Sequence, residues 1–216
     1  MISNAVIRSE AEGGKGPTHE AGTINRRKPD VTTTSNSISR LSTIADIEAH
    51  LPSLRALLQS CVNPDPPTSS IGFIAPLSDA EADQYWRSLG TSLGITNHLF
   101  ILTGPGDRDG GPEVTATVQL LRIPKATHAH RGEVAKLLVL PTHQRSGLGR
   151  TMMEHVEGYA RDTLGLRVLT LDTETDTPAR RFYSRTGWTE WGTCPDYAAY
   201  ADGRPGSATF FVKSLV

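Results

Sequence analysis

Seven residues carry the clearest chemical signal in this chain: Gln144-Arg145-Ser146-Gly147-Leu148-Gly149-Arg150. They follow an extended apolar run, Glu133 to Leu140, that is broken by Pro141. They open a segment whose Leu148, Met152, Val156 and Ala160 recur at helical spacing on one face. The first N–H groups of a helix lack internal partners, and the helix dipole adds partial positive charge there. A strand that feeds such a start through glycines is therefore suited to hold phosphate. Gly147 and Gly149 put no side chain in the way of an anion, and Arg145 and Arg150 add charge beside them. The stretch Gln144 to Arg150 reads as the seat of an anionic cofactor. The plainer alternative is a tight strand–helix turn that needs glycine only for its backbone. Neither the Gly-x-Gly-x-x-Gly of a dinucleotide fold nor the Gly-x-x-x-x-Gly-Lys-Ser/Thr of a P-loop occurs here.

The elements that must position this seat follow from periodicity and punctuation. Residues 1–36 are rich in Gly, Thr, Ser, Asn and charge, and a disordered tail is expected, followed by one domain over 37–216. A short strand is expected near Ile38. A helix over 44–62 would bury Ile44, Ile47, Leu51, Leu54 and Leu58, and a second over 79–93 would be capped by Ser78 or Asp79. Strands are expected at 97–103, 113–122 and 132–140, then the long helix, then a strand over 166–172. Thr177 with Pro178 would start a short helix ending at Gly187, and strands near 188–193 and 207–215 would finish the chain. This order predicts an α/β (α+β) fold, a mixed and mostly antiparallel central sheet with helices on both faces.

Composition narrows the function classes. The 216 residues suffice for one sizeable core, and a formal net charge of −1 gives no global field toward nucleic acid or an anionic membrane. No apolar run reaches the length of a membrane span, and no secretory apolar stretch opens the sequence. Cys61 and Cys194 have no metal-ligand spacing, so no metal is expected; reduced, structural thiols and a cytoplasmic location are expected instead.

The pattern Gln144-x-x-Gly147-x-Gly149 resembles the acetyl-CoA signature of the GNAT superfamily of N-acetyltransferases. The likeness extends over about residues 38–215. It is carried also by the strand 132–140, by Leu169-Thr170-Leu171-Asp172, and by Ala179-Arg180-Arg181-Phe182-Tyr183-Ser184-Arg185-Thr186-Gly187-Trp188. Within the superfamily the chain is most similar to the tabtoxin resistance group, through His130 to Gly149, Leu171-Asp172-Thr173-Glu174, Pro195-Asp196-Tyr197-Ala198 and Asp202-Gly203-Arg204. One position departs from the family: an asparagine usual seven residues before the tyrosine is replaced by Asp176, which offers acceptors only.

The resemblance implies an acetyl-CoA-dependent enzyme in which an amine attacks the thioester directly in a ternary complex. It implies a small, amino-acid-like metabolite or toxin as acceptor, and hence a detoxifying role. A peptide or protein acceptor, or a non-catalytic acyl-CoA module, would fit the same motifs. Leu137, Leu138 and Val139 would join Gln144–Arg150 around the cofactor, the backbone N–H groups around Leu138 and Val139 facing the charge that develops on the carbonyl oxygen. Tyr183 matches the family tyrosine beside the cofactor sulfur and would protonate the thiolate; its alternative role is core packing. Two carboxylates compete as base. Glu133 matches the glutamate of the histone-acetyltransferase branch, and Asp172 an aspartate near substrate in the tabtoxin resistance group. Either would equally bind the substrate ammonium or pair with an arginine. Strand parity places Glu133, Ala135, Leu137 and Val139 on one face. Asp196, Tyr197 and Tyr200 would lie in a loop bordering the acceptor, with Tyr197 and Asp172 touching the acceptor, though the same residues would equally suit an ordinary solvated loop.

Overall fold

The computed structural model describes residues 36–64, 72–105 and 112–216. The expected tail lies outside the described residues except for position 36, as does most of the turn at 104–111. The elements are β1 (Ser37–Leu41), α1 (Ile44–Val62), α2 (Asp79–Ser88), β2 (Asn97–Pro105), β3 (Pro112–Arg122), β4 (Arg131–Val139), α3 (Leu148–Asp162), β5 (Val168–Glu174), α4 (Pro178–Arg185), β6 (Thr189–Ala199) and β7 (Pro205–Ser214). The strands form one sheet in the order β1-β2-β3-β4-β5-β7-β6. Every neighbouring pair is antiparallel except β4 with β5. The mixed, mostly antiparallel sheet is as the sequence predicts.

Alternation along the central strands builds two cores. Leu99 and Ile101 enter a cluster with Ile47, Leu54, Leu58 and Trp86 of α1 and α2. Phe100 and Leu102 enter the opposite one with Met152, Val156 and Tyr183 of α3 and α4. Strands buried on both faces lose the apolar–polar alternation of a half-exposed sheet, which is why Leu99 to Leu102 of β2 read as a continuous apolar run; β3 instead buries its alternating Thr115, Thr117 and Gln119 as well. Each fully buried Leu or Phe contributes about 1.5–3 kcal/mol, so the sheet's centre is its most stable part.

Helix starts follow the sequence closely. Thr43 and Asp46 form a reciprocal capping box at α1, and Ser78 with Glu81 forms another at α2, fixing Ser78 as the cap. Three expectations change. Ile44 is 46% exposed, outside the buried stripe, because it lies over Gly90 at the start of α1. α2 stops at Ser88, and a 3-10 turn over Leu89–Thr91 replaces its expected continuation to 93. Gly90 favours that break, being a poor helix former. Thr177 precedes α4, but its hydroxyl donates to Glu174 O rather than accepting from the helix.

Two larger corrections concern β4 and β6. The β3–β4 register slips by one residue between Thr117/Leu138 and Gln119/Ala135, and Lys136 has φ +50°. This bulge breaks the expected parity. Glu133 and Ala135 face α1 and α2, whereas Leu137 and Val139 pack toward α3 and α4. Left-handed backbone at Lys136 costs about 1–2 kcal/mol. Without it Lys136 would point into the α3–α4 core, and burying an ammonium there costs several kcal/mol. The bulge wins. β6, in turn, does not end near 193 but reaches Ala199, crossing a bulge between Cys194 and Ala198 to pair again with β7. Asp196 and Tyr197 are thus in a strand, not the expected loop, and Cys194 is exposed while Cys61 is buried.

Candidate active site

A turn folded on itself leads from β4 into α3. Pro141–His143 form a 3-10 turn, the Ser146 hydroxyl donates to His143 O, and the Gln144 side-chain amide donates to Val139 O at 3.3 Å. Arg145 and Gly147 then take φ +63° and +93°, which swings the chain so that α3 begins at Leu148. Unlike α1 and α2, α3 has no side-chain cap, because glycine stands at the cap position. Its first N–H groups have no side-chain acceptor and suit an anion. Arg145, Ser146, Gly147 and Arg150 are all exposed at this mouth.

The two glycines answer the sequence question differently. Gly147 is required by its positive φ. Gly149 is not: a Cβ there would meet Phe182 at 3.6 Å and Val139 at 3.8 Å, ordinary contacts. Packing tolerates a side chain at 149, so glycine there keeps open a cradle between α3, α4 and β4. These features fit the diphosphate-bearing end of acetyl-CoA.

Beside this mouth the sheet opens. β4 and β5 pair only at Arg131/Val168, Gly132/Leu169 and Glu133/Thr170. Beyond Glu133, β4 stays with β3 while β5 continues along β7. The gap is therefore bordered by the backbone of Ala135 to Val139, which includes Leu137, Leu138 and Val139.

Three charges gather on the α1–α2 face of that gap. Burial pushes the Glu133 carboxyl above the ordinary carboxylate range, and the nearby charge of Asp172 pushes it further. Asp172 is raised by burial as well, with Lys136 opposing the shift. Asp172 is open to solvent by surface area, yet the cleft walls crowd it enough that desolvation dominates. Lys136 is held below the usual lysine value by burial, with Asp172 pulling it back up. Its ammonium lies 5.3 Å from the Phe73 ring centre and 5.7 Å from that of Tyr85. Sequence reasoning missed Lys136; its one signal was a lone charge inside Val134-Ala135-Lys136-Leu137-Leu138.

Tyr183, on α4, is buried among Phe182, Trp188 and Phe211. Burial first, and the charge of Asp172 second, push its phenol well above the usual range. The charge of Asp172 thus acts on both Glu133 and Tyr183, which lie on opposite faces of the sheet. Asp176 accepts a hydrogen bond from the Tyr200 hydroxyl at 3.3 Å.

On the far side of the gap, Asp172 pairs with Phe210 of β7. The Phe210 ring lies 4.9 Å from that of Tyr197 and 6.0 Å from that of Trp191. The segment before α2 reaches this end too, through Ala75 N–H donating to Ala201 O at 2.9 Å. Phe210 and Trp191 were not singled out by sequence. A shallow depression of about 620 Å³ on the outer face of α2, lined by Ala80, Asp83, Gln84, Arg87 and Ser88, holds no such grouping, its charges being spent on ion pairs with Arg55 and Glu48.

Comparison with known proteins converges on the same reading. The model of the Acetyltransferase (GNAT) family matches residues 70–188, more than half of the chain. A structure described as a phosphinothricin N-acetyltransferase is similar at TM-score 0.65 and 16% identity, covering 84% of this chain and 99% of that one. Ribosomal-protein-alanine N-acetyltransferase from Brucella melitensis aligns at TM-score 0.61 and 20% identity, over 82% and 99% of the two chains. A protein from Salmonella typhimurium, described as an acetyltransferase with its cofactor acetyl-CoA, aligns at TM-score 0.62 and 18% identity, over 84% and 94%. At these identities the structures attest the shared fold.

Proposed function

This chain belongs to the GNAT family of acetyltransferases, and from that premise we propose that it acetylates the amine of a small, amino-acid-like molecule. The observation that carries the acceptor class is the grouping of Glu133, Lys136 and Asp172 on one face of the β4–β5 gap. An amino acid presents one ammonium and one carboxylate. Two carboxylates and one lysine in a partly desolvated cleft complement that pair.

Gln144 to Arg150 would hold acetyl-CoA, with the open amides of α3 and the two arginines meeting its phosphates and the Leu137–Val139 edge meeting the acyl arm. Bound there, acetyl-CoA supplies an activated carbonyl carbon for the amine nitrogen. The chain's own residues deal with protons. An alkyl ammonium with a pKa of about 10 must give up a proton at neutral pH, a deficit of roughly 4 kcal/mol. Glu133 and Asp172, both raised above ordinary carboxylates, are stronger bases than exposed acids and narrow that gap. Asp172, open to the cleft, is assigned the acceptor ammonium, and Glu133 the onward proton. Lys136 is assigned the acceptor carboxylate. Tyr183 stays protonated throughout the physiological range. A phenol raised so far gives up its proton reluctantly to a thiolate whose parent acid has a pKa of about 8.5. Its role is therefore to donate a hydrogen bond to the leaving sulfur.

The names of the similar structures span a small molecule and a ribosomal protein, so the acceptor is read from the cleft. The Leu171–Glu174 and Pro195–Ala198 segments support placement beside the tabtoxin resistance group, with a detoxifying, cytoplasmic role for a domain spanning 37–216. Among the described residues no helix is long and apolar enough to cross a membrane. The test is release of free thiol from acetyl-CoA with amino acids, polyamines, aminoglycosides and peptides as acceptors. Turnover with free amino acids or close analogues is expected; turnover confined to peptides would overturn this reading.

A further inference from the structure

We propose that Trp191, Tyr197 and Phe210 form the acceptor's side-group subsite and select an amino-acid-like amine bearing an aromatic ring. The inference rests on the acceptor class given above. Phe210 and Asp172 are directly paired across β7 and β5, so both side chains stand on the same face of the sheet, one strand apart. The adjacent Phe211 points the other way, fully buried against Tyr183. Asp172 marks where the ammonium is held, and Phe210 is the next side chain outward from it.

Phe210 does not stand alone. Tyr197 meets it edge-on with an interplanar angle of 86°, and Trp191 with one of 75°. Two bulges in β6 produce this. One inserts Trp191 between Glu190 and Gly192, and the other lies between Cys194 and Ala198, where Asp196 takes φ +50°. Gly192, opposite Phe210, carries no side chain to cover the ring. The outcome is a three-ring niche with an open side, and Trp191 and Tyr197 remain 66% and 53% exposed. Large aromatics at such exposure, grouped around a third ring, mark a binding surface. Charge complementarity names the occupant. The ionic groups at the inner end of the niche match the two charges of an amino acid, and a ring in its side chain completes the edge-to-face arrangement that the three aromatics begin.

The test compares acetyl transfer to phenylalanine, tryptophan, leucine, alanine, lysine and spermidine by the full chain and by its Trp191→Ala and Tyr197→Ala variants. The native protein is expected to favour the aromatic acceptors over alanine by about tenfold in kcat/KM. The variants should lose most of that preference through a raised KM for the aromatic acceptors. In parallel, tryptophan fluorescence is followed as phenylalanine or alanine is added in the presence of coenzyme A. Trp191 is the exposed tryptophan, and Trp86 and Trp188 are buried, so a response to phenylalanine that disappears in Trp191→Ala reports the niche itself. Turnover of amino acids with no aromatic preference in any variant overturns the subsite and leaves the acetyltransferase reading standing. A Trp191-dependent fluorescence response without turnover does the reverse. A preference for lysine or spermidine would put a cation on the rings and overturn the aromatic assignment. Variants that alter sedimentation but not acceptor selectivity would make the niche a contact between copies of this chain, which also overturns it.

Discussion

The two walls of the cleft are built on opposite terms. The cofactor wall we propose, from β4 through the turn into α3, would work mainly through backbone: a left-handed Arg145 and Gly147, an uncapped helix start, and a small residue at 149. The proposed acceptor wall, on β5, β7 and β6, would work through side chains: Asp172 and the rings of Phe210, Tyr197 and Trp191. Backbone recognition tolerates little change in sequence but says nothing about the second substrate. Side-chain recognition can be altered without disturbing the fold.

The largest effect should come where the walls meet. Asp172→Asn and Glu133→Gln are each expected to lower kcat/KM by about 10²–10³, measured by thiol release. Removing the Asp172 charge also removes one cause of the raised Glu133 pKa. The acid limb of the rate profile, where the base becomes protonated, should therefore move to lower pH in Asp172→Asn. A limb that stays in place would assign the base elsewhere.

Next in size, Tyr183→Phe should slow kcat by roughly 10–100-fold at saturating acetyl-CoA and leave the Kd for coenzyme A unchanged. Equal losses in both would make Tyr183 a packing residue. On the cofactor wall, Gly149→Asp puts an anion in the cradle and should weaken coenzyme A binding by about tenfold or more, with the fold intact by circular dichroism.

The smallest effect is on stability. Asp172 has a folded pKa above its unfolded value. Its ionised form thus opposes folding at pH above that folded pKa, and the penalty fades as pH falls through it. Asp172→Asn should raise Tm by a few degrees at most near pH 8, with the gain shrinking toward pH 4. A lower Tm at pH 8 would mean that its charge is stabilising.

How far the sequence reveals each wall follows from the same contrast. Pro141, Gly147 and Gly149 act locally, so the turn into α3 and its anion seat are legible from spacing alone. The bulge at Lys136 is not, because it arises from the pairing of Ala135 and Leu138 with Gln119 and Thr117 on β3. That unread residue reversed the facing of Leu137 and Val139 and brought Lys136 beside Asp172. The full length of β6 is likewise not legible locally, because it depends on β7 pairing on both sides of the bulge between Cys194 and Ala198. Tyr197 was visible as a candidate; Phe210 was not, because only the register with Asp172 gives it meaning.

The central claim is that the opening of α3 holds the phosphates of acetyl-CoA. Titration calorimetry of the folded chain with coenzyme A, at two temperatures so that a zero enthalpy at one is not mistaken for no binding, tests it most directly. Saturable heat that weakens markedly in Gly149→Asp is expected. No saturable heat at either temperature, from protein with an intact fold, would contradict it.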